Sequence, residues 1–496
     1  MNNSFDFSTF SRQSSKGIIV NYFLIFYKSL KSSWILIPLL FTKKPENFNA
    51  TKIVLGIALI LIYILIRSVL LYLNYKFKVK DNGFVLKHGI LKKTNVSIPF
   101  SKIQNVKFKQ NFIQQLINVT EVEIETAGAK NVEVSIKALT RERAEALKEV
   151  LFSDRVIVKE EEIETLDEKK ATELLKVSPL ELLKVSISEN HFHSFLLLFA
   201  FIFSGYAQLK DVLEDLEINN QLDVLVEENA STLVQDVFLV VILVLFAFVI
   251  SIIISFVRTF LKHFNLKLSI KEKALEISQG LITKQHSIIK KEKVQYLVIS
   301  TNPIKKIIGI YNVVFKQATS GKVKANKIIK IVGAKFEQIS ILKNVLFTEE
   351  ISREEEKVVP NSYYIIQMYF RSFLFLAVLN LVALLNIYIL FINLVAIPLV
   401  ILLINLKYKK TFFRLHPNLL EVGSGQFSTE IIYFEIFKMQ HIKLRQSIFQ
   451  KRKNVADIIL QTASGKIKIP CLDKNLAVEL YNLMLYKTEI SKKSWM

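Results

Sequence analysis

The chain has 496 residues, of which 51% are hydrophobic, and its formal net charge is +22. Soluble domains are rarely so apolar, so this composition predicts membrane-spanning helices, and the length predicts about two to four domains. The basic excess fits a protein on the cytoplasmic side of a membrane and argues against nucleic-acid binding, which rarely accompanies so much apolar sequence. The single cysteine, Cys471, excludes an intramolecular disulfide and a cysteine-rich metal site.

Apolar stretches long enough to cross a bilayer recur along the chain. A helical span needs about 20 apolar residues, and residues 51–74, 191–209 and 236–257 meet this requirement. Residues 372–406 form a longer stretch without any charge, which would overshoot the bilayer as one helix. We therefore expect two short spans in a hairpin there, with its turn in the region marked by Asn386 and Asn393.

The first apolar segment, residues 17–41, is ambiguous because Lys28 and Lys31 lie in its middle. It is either one tilted span or an interfacial helix that leads into a short span, and the aromatic residues slightly favour the second. The expected total is six spans in three pairs. The segment 210–236 has eight acidic residues and one lysine, which fits the outside face and places the basic regions, including both termini, in the cytoplasm.

A motif of lysine, an apolar residue and glutamine occurs three times. When Gly89, Gly280 and Gly425 are aligned, the motif glutamine follows fifteen residues later in each copy without a gap. The motif lysines are Lys102, Lys293 and Lys438, and the motif glutamines are Gln104, Gln295 and Gln440. Such self-similarity predicts three copies of one structural unit.

Each copy of the repeat reads as several short strands followed by one helix. In the second copy, apolar residues alternate with polar ones from Phe264 to Ile270 and continue after a turn at Leu275 and Ile277, which predicts half-buried strands. Glycine-containing hairpin turns are expected around Gly128, Gly321 and Gly465. Helical patterns follow, and they begin near Thr140, Lys335 and Asn475.

This combination resembles bacterial pleckstrin-homology-like domains of multi-pass membrane proteins, in which two spans and one domain alternate. The resemblance covers nearly the whole chain and implies three α+β domains in the cytoplasm, each an antiparallel β-sandwich or barrel with a C-terminal helix. It implies an interfacial helix and span pair in 1–74, domains in 75–157, 262–350 and 407–496, and linkers with span pairs in 158–261 and 351–406. The third copy departs most from the pattern, because Met439 replaces isoleucine or valine.

Two interpretations of the repeated motif remain open. Lysine and glutamine at a strand edge could meet a lipid phosphate and headgroup, whereas the plainer interpretation is an inward apolar residue flanked by polar ones on a half-buried strand. The middle copy is the most basic, with 17 basic and 4 acidic residues between positions 262 and 347. Its candidate lipid-binding residues are Lys290, Lys291, Lys293, Lys305 and Lys306, although general attraction to an anionic surface needs no pocket.

No catalytic, metal or cofactor signature accompanies the repeats. The close pair His191 and His193 has poor geometry for a metal on a helix, and no nucleotide loop or nucleophile elbow is present. We therefore expect a non-enzymatic scaffold of the cytoplasmic membrane. Its domains are expected to bind inner-leaflet lipids, a protein partner or one another, and no nucleic-acid partner is expected. The alternative is a transporter or permeation protein in which the six spans are the working part.

Overall fold

The computed structural model describes residues 5–33, 50–80, 83–126, 134–152, 172–189, 191, 194–200, 233–271, 274–318, 328–347, 355–382 and 387–493. Within these residues the chain forms three similar units. Each unit has a short leading strand or bridge, helices, a sheet that follows the last helix, a second sheet, and a terminal helix.

The first unit begins with a two-residue strand and a helix that packs against the first long apolar helix. Its elements are β1 (Ser11–Arg12), α1 (Gly17–Ser33), α2 (Ala50–Leu73), β2 (Lys76–Lys80), β3 (Gly83–His88), β4 (Thr94–Pro99), β5 (Ile103–Gln110), α3 (Phe112–Leu116), β6 (Thr120–Thr126), β7 (Val134–Leu139) and α4 (Arg141–Phe152).

The second unit repeats this order. Its elements are β8 (Thr172–Lys176), α5 (Pro179–Ile187), a helical stretch at 194–200, α6 (Leu233–His263), β9 (Lys267–Ile270), β10 (Ala274–Gln279), β11 (Lys284–Lys290), β12 (Val294–Thr301), α7 (Pro303–Ile308), β13 (Tyr311–Gln317), β14 (Ile329–Ala334) and α8 (Phe336–Leu346).

In the third unit a single bridge between Val358 and Phe413 replaces the leading strand. The other elements are α9 (Tyr363–Val382), a 3-10 helix (Ile387–Ile392), α10 (Asn393–Lys410), β15 (Phe412–Leu415), β16 (Leu419–Ser424), β17 (Thr429–Glu435), β18 (Met439–Arg445), α11 (Ile448–Arg452), β19 (Val455–Thr462), β20 (Gly465–Asp473) and α12 (Lys474–Ile490).

The strands and terminal helices predicted from the repeats are confirmed. Leu266, Leu268, Leu275 and Ile277 are all buried in the core of the second domain, as the alternation predicted. The terminal helices α4, α8 and α12 begin within one residue of the expected positions. The hairpin at Gly465 joins β19 to β20, whereas those expected at Gly128 and Gly321 lie outside the described residues.

The sheets continue from one domain into the next. The sheet orders are β1-β2-β3-β4, β7-β6-β5-β11-β10-β9-β8, β14-β13-β12-β17-β16-β15 and β18-β19-β20. The second sheet of domain 1 therefore joins the first sheet of domain 2 by pairing of β5 with β11, which we call joint 1. Pairing of β12 with β17 joins domains 2 and 3 in the same way, as joint 2.

The segment before each helix pair contributes to the domain that follows the pair. β1 pairs with β2, β8 pairs with β9, and Val358 bridges to Phe413 next to the start of β15. The chain thus places a strand in each domain before it enters the helices and returns afterwards to complete that domain.

Three helices of the described residues are long and apolar enough to cross a membrane. Their apolar stretches are Val54–Leu73, Val244–His263 and Leu390–Lys410, of which the third begins in the 3-10 helix before α10, and a shorter apolar stretch runs over Tyr363–Val378. The hairpin expected within 372–406 is present, because α9 and α10 pack together and Asn393 Nδ2 donates to Asn380 Oδ1 at 2.5 Å. The first helix of this hairpin begins at Tyr363, earlier than the uncharged stretch, and includes Arg371.

Parts of the expected span arrangement cannot be compared with the structure. Residues 34–49, most of 191–209 and the acidic segment 210–232 lie outside the described residues, as do most of the charged linkers. The beginning of the third expected span is helical and contacts α6, with ring centroids of Phe195 and Phe248 5.5 Å apart.

Candidate functional site: an apolar and basic rim beside the spans

The end of each domain nearest its candidate span is marked by the repeat glycine. In domain 2, the amide of Gly280 donates to Phe264 O and that of Leu281 to Leu261 O, at the end of α6. In domain 3, Lys410 at the end of α10 donates to Gln426 O and Phe427 O, just after Gly425. The β10–β11 turn and the β16–β17 turn therefore each lie beside the span of their own domain.

The repeat glycines have a conformational reason to be glycine. Gly89, Gly280 and Gly425 have φ values of +115°, +104° and +128°, a region that other residues rarely adopt. A Cβ atom at any of them would lie 2.0 Å from a backbone carbonyl oxygen three residues later. The repeated glycine thus builds the tight turn that faces the span.

A short helix lies at the same end of each domain. β5 and β11 are antiparallel, so the end of β5 lies beside the start of β11, which follows the Gly280 turn. The helix α3 follows β5, and its Gln115 Nε2 donates to Ile282 O at 2.8 Å within that turn. The equivalent helices are α7 and α11, and Gln450 of α11 contacts Cys471, which packs on helices α9 and α10.

Large apolar side chains are exposed on these turns and short helices. Leu91 is 100% exposed and Ile307 is 87% exposed, although each lies in a folded domain. We define the span-side rim as the exposed turn residues and short-helix residues of the three domains: Leu91, Leu281, Ile282, Phe427, Phe112, Leu116, Ile304, Ile307, Ile448 and Phe449. Exposed apolar residues that recur at one end of three domains mark an interaction surface.

Basic side chains accompany the rim in all three domains. They are Lys92, Lys93, Lys284, Lys306, Lys451, Arg452 and Lys453, and all are exposed. Apolar residues with lysine and arginine beside them are the composition with which proteins enter the interfacial layer of an anionic membrane.

Sequence reasoning missed the turn residues of the rim, although a signal was available. Leu91, Ile282 and Phe427 each lie two residues after a repeat glycine. An apolar residue at the tip of a tight turn cannot join the core of its own domain, so its recurrence was informative. The alignment of the repeat glycines also makes Ile113, Ile304 and Phe449 equivalent, but it does not show that they lie at the span side.

The five lysines predicted to bind lipid do not form one cluster. Lys305 and Lys306 lie on α7 at the rim, whereas Lys290, Lys291 and Lys293 lie at the turn between β11 and β12. Lys290 is six residues along β11 from Lys284, which is about 20 Å at the usual rise of a strand. Lipid binding by the second group stays a prediction, and it concerns the end of the domain away from the span.

Lys305 is part of a buried network rather than an exposed contact. Its side chain is nearly inaccessible, and its Nζ lies 2.8 Å from Glu189 Oε1, which also lies 3.2 Å from Lys330 Nζ. Burial alone would raise the pKa of Glu189, but the charges of Lys330 and Lys305 outweigh it and lower the pKa to about 2. Burial lowers the pKa of Lys305, and the ion pair with Glu189 opposes this shift. The network fastens α7 to the segment after α5.

The repeated glutamines lie at the joints between domains. Gln104 and Gln295 are the second residues of the strands β5 and β12 that pair with the next domain, and only 5% and 1% of their surfaces are exposed. Gln440 is the second residue of β18, which pairs with no later domain, and it is exposed. Lys102 and Lys293 lie in the preceding 3-10 turns, while the buried Lys438 donates to Val294 O at 2.6 Å across joint 2.

A groove of about 880 Å³ lies over joint 1. It is lined by basic groups from both domains, including Arg141, Lys148 and Lys284, and by His286. Lys148 Nζ lies 3.0 Å from Glu276 Oε1, which links α4 of domain 1 to β10 of domain 2. The groove opens beside the rim, where Leu281 and Gln115 contribute to its lining.

Among the described residues, no group of three or more histidine, cysteine or acidic side chains is placed to hold a metal ion. Cys471 is buried, and burial raises the pKa of its thiol to about 11, which makes it a poor nucleophile. The polar pair Asn380 and Asn393 of the α9–α10 hairpin is satisfied within that hairpin.

Comparisons with known proteins agree with the repeated fold. A family model described as the bacterial PH domain matches residues 33–155, 229–344 and 372–488, which together are more than half of the chain. The chain is 23% identical over 317 residues to the UPF0699 transmembrane protein YdbT of Bacillus subtilis (strain 168). That match covers 62% of this chain and 62% of YdbT, so the chain spans less than two thirds of the relative's length. No solved structure matches the chain.

Proposed function

Because this chain belongs to the bacterial PH domain family, we propose that it is a non-enzymatic scaffold of the cytoplasmic membrane. Its three domains lie against the inner leaflet and offer their remaining surfaces to lipid headgroups or protein partners. The observation that carries this proposal is the span-side rim, in which exposed apolar residues recur beside basic ones in every domain.

The rim has the chemistry of an interfacial contact. Residues such as Ile307 and Phe449 can enter the headgroup layer, where an apolar surface is buried about 5–10 Å deep. Lys306 and Arg452 on the same short helices can remain at headgroup level, each worth about 1 kcal/mol near an anionic surface. Because the rim lies beside the ends of the spans, its contact with the membrane needs no rearrangement of the domains.

We propose six spans in three pairs, with all three domains in the cytoplasm. The three candidate spans of the described residues end directly before β2, β9 and β15, which supports one shared direction for all of them. Three parallel spans in one chain require two returning segments between them, and a third returning segment before the first span places the N-terminus in the cytoplasm. α1 packed on α2, the helical stretch at 194–200 beside α6, and α9 packed on α10 fit that role.

Lipid contact is tested on the full chain in vesicles that contain a spin-labelled lipid. A fluorophore at Ile307→Cys on the rim should be quenched, whereas the same fluorophore at Lys290→Cys, at the other end of domain 2, should not. The buried Cys471 contributes little labelling, and the unsubstituted chain measures that background. Equal quenching at both positions, or none at Ile307→Cys, would contradict the proposed contact.

The role of charge is tested by two matched reversals in the same vesicles. Lys306→Glu should weaken quenching at the rim label in anionic vesicles and leave it nearly unchanged in neutral ones. Lys290→Glu is the control, because it changes the net charge equally at the far end. If the spans were the working part, as in a transporter, both variants would keep cellular activity.

Sidedness is tested with single cysteines and a membrane-impermeant maleimide on intact cells. Ser231→Cys, in the acidic segment, should react from outside, and Lys466→Cys, in the β19–β20 hairpin, should react only after permeabilisation. Reaction of Lys466→Cys in intact cells would place domain 3 outside and exclude the arrangement of six spans.

A further inference from the structure

Two described strands that correspond to the joint strands have no neighbouring strand on one side. Among the described strands, β4 ends the first sheet of domain 1, and β18 ends the second sheet of domain 3. Their counterparts in the other domains are the strands that make the joints. β4 corresponds to β11 and β17, and β18 corresponds to β5 and β12.

The two internal joints have the same register. In each, the residue after the motif glutamine of one domain lies opposite the residue six positions before the motif glutamine of the next domain. These pairs are Asn105 with Ile289 in joint 1 and Tyr296 with Phe434 in joint 2. The next five pairs along both joints keep the same relation without a shift. Both joints therefore use equivalent strands in the same register.

We propose that a second copy of this chain continues the row, with β18 of one copy paired to β4 of the next. Applying the same register gives the expected antiparallel pairs. They are His441 with Ile98, Ile442 with Ser97, Lys443 with Val96, Leu444 with Asn95, and Arg445 with Thr94.

Burial along the three equivalent strands supports this partner. In β5 and β12, four of the seven residues from the motif glutamine onward are buried. In β18 the equivalent residues Gln440, His441 and Lys443 are exposed, and a groove of about 710 Å³ opens along this edge. The third domain thus presents a surface that its counterparts bury.

Charge favours head-to-tail pairing over pairing of two identical edges. β18 exposes Lys443 and Arg445, so two β18 strands would bring like charges together. β4 has no charged residue between Thr94 and Pro99, so it places no like charge directly opposite Lys443 or Arg445. Because every joint keeps the rim at the same end, a chain of copies can remain flat on one membrane.

This proposal gives the scaffold a defined partner, and its test does not depend on contact between the rim and lipid. Two variants with different tags, Leu444→Cys and Asn95→Cys, are co-expressed, and isolated membranes are treated with a mild oxidant. Both positions are exposed, and opposite residues of antiparallel strands have Cα atoms about 4.5–5.5 Å apart, within the range of a disulfide. Their counterparts Phe108 and His286 have ring centroids 6.2 Å apart in joint 1.

The expected product is a disulfide-linked dimer that carries both tags and forms at least tenfold more than with the control pair. In the control, Lys87→Cys replaces Asn95→Cys, because Lys87 lies opposite Asn95 on β3, is also exposed, and is one strand farther from the edge. A dimer from Leu444→Cys alone would indicate an isologous contact and overturn the proposal. Cross-linking to a different protein, or no product above the control, would overturn it as well.

Discussion

The turn that begins at Gly280 has a backbone conformation and a close contact that only glycine fits. Gly280→Ala should destabilise domain 2, because its φ of +104° costs a non-glycine residue about 1–3 kcal/mol and the new Cβ would meet Thr283 O at 2.0 Å. The expected result is a lower thermal unfolding midpoint of the purified protein.

Gly56→Ala serves as the control for this substitution. Gly56 lies within α2, nothing lies within 4 Å of a Cβ built there, and alanine favours a helix. The unfolding midpoint of this variant should stay the same or rise slightly. Equal midpoints for the two variants would show that the Gly280 turn tolerates a side chain.

The Glu189 network predicts a defined pH dependence of stability. The folded pKa of Glu189, about 2, lies below the ordinary glutamate value of 4.5, so its ion pairs stabilise the fold fully above about pH 4.5. This contribution is lost as the pH falls from 4.5 towards 2. Glu189→Gln should therefore lower the free energy of unfolding at pH 7 by roughly 2–3 kcal/mol.

The comparison of wild type and Glu189→Gln across pH separates this effect from general acid denaturation. Their difference in stability should shrink below about pH 4.5, because Glu189 then takes up a proton in the unfolded wild type, whereas in the fold it stays charged down to about pH 2. Glu173→Gln is the matched control, since Glu173 is exposed and its ion pair with Lys267 spans 3.5 Å. A constant difference between pH 7 and pH 3 would contradict the role of the carboxylate charge.

At the scale of elements, Asn302 makes two hydrogen bonds that stabilise the short helix α7. Asn302 Oδ1 accepts from the amide of Lys305 and caps the helix, while Asn302 Nδ2 donates to Ser188 O at 2.6 Å, after α5. Asn302→Ala should lose both interactions and cost about 1–2 kcal/mol, measured as faster amide exchange in α7.

Asn302→Asp separates the cap from the contact with α5. Aspartate keeps an oxygen that can accept from the amide of Lys305, but it has no amide hydrogen for Ser188 O. Exchange in α7 should therefore lie between the wild type and Asn302→Ala. If aspartate behaved like alanine, the contact with Ser188 would dominate and the cap would contribute little.

Local elements were largely predictable from the sequence, and their assembly was not. The alternation from Phe264 to Ile277 predicted β9 and β10, because burial on one face imposes a period of two. The pairing of β5 with β11 leaves no such signature, since Asn105 and Lys107 are polar and yet buried at joint 1. The lysine pattern was equally insufficient for the site, because charge does not reveal that Lys305 turns inwards to Glu189.

At the scale of the whole molecule, the two joints couple the three domains through shared sheets. Each domain has its own core, but β11 and β12 of the middle domain also complete sheets of its two neighbours. The middle domain thus shares backbone hydrogen bonds on two sides, and each outer domain shares them on one side. Destabilisation of the middle domain should therefore also weaken domains 1 and 3.

This coupling predicts an asymmetric response to two matched core substitutions. Ile277 and Ile458 are both buried, in domains 2 and 3, and truncation of either to alanine should cost about 2–5 kcal/mol. Ile277→Ala should speed amide exchange in β5 of domain 1 and in β17 of domain 3, because both strands pair with the weakened domain. Ile458→Ala should speed exchange in β12 but leave β5 nearly unchanged, since domain 1 is two joints away. Hydrogen exchange read by mass spectrometry on the full chain measures all three strands. If exchange changed only within the substituted domain, the joints would be contacts between independent modules, and the row of domains would not act as one folding unit.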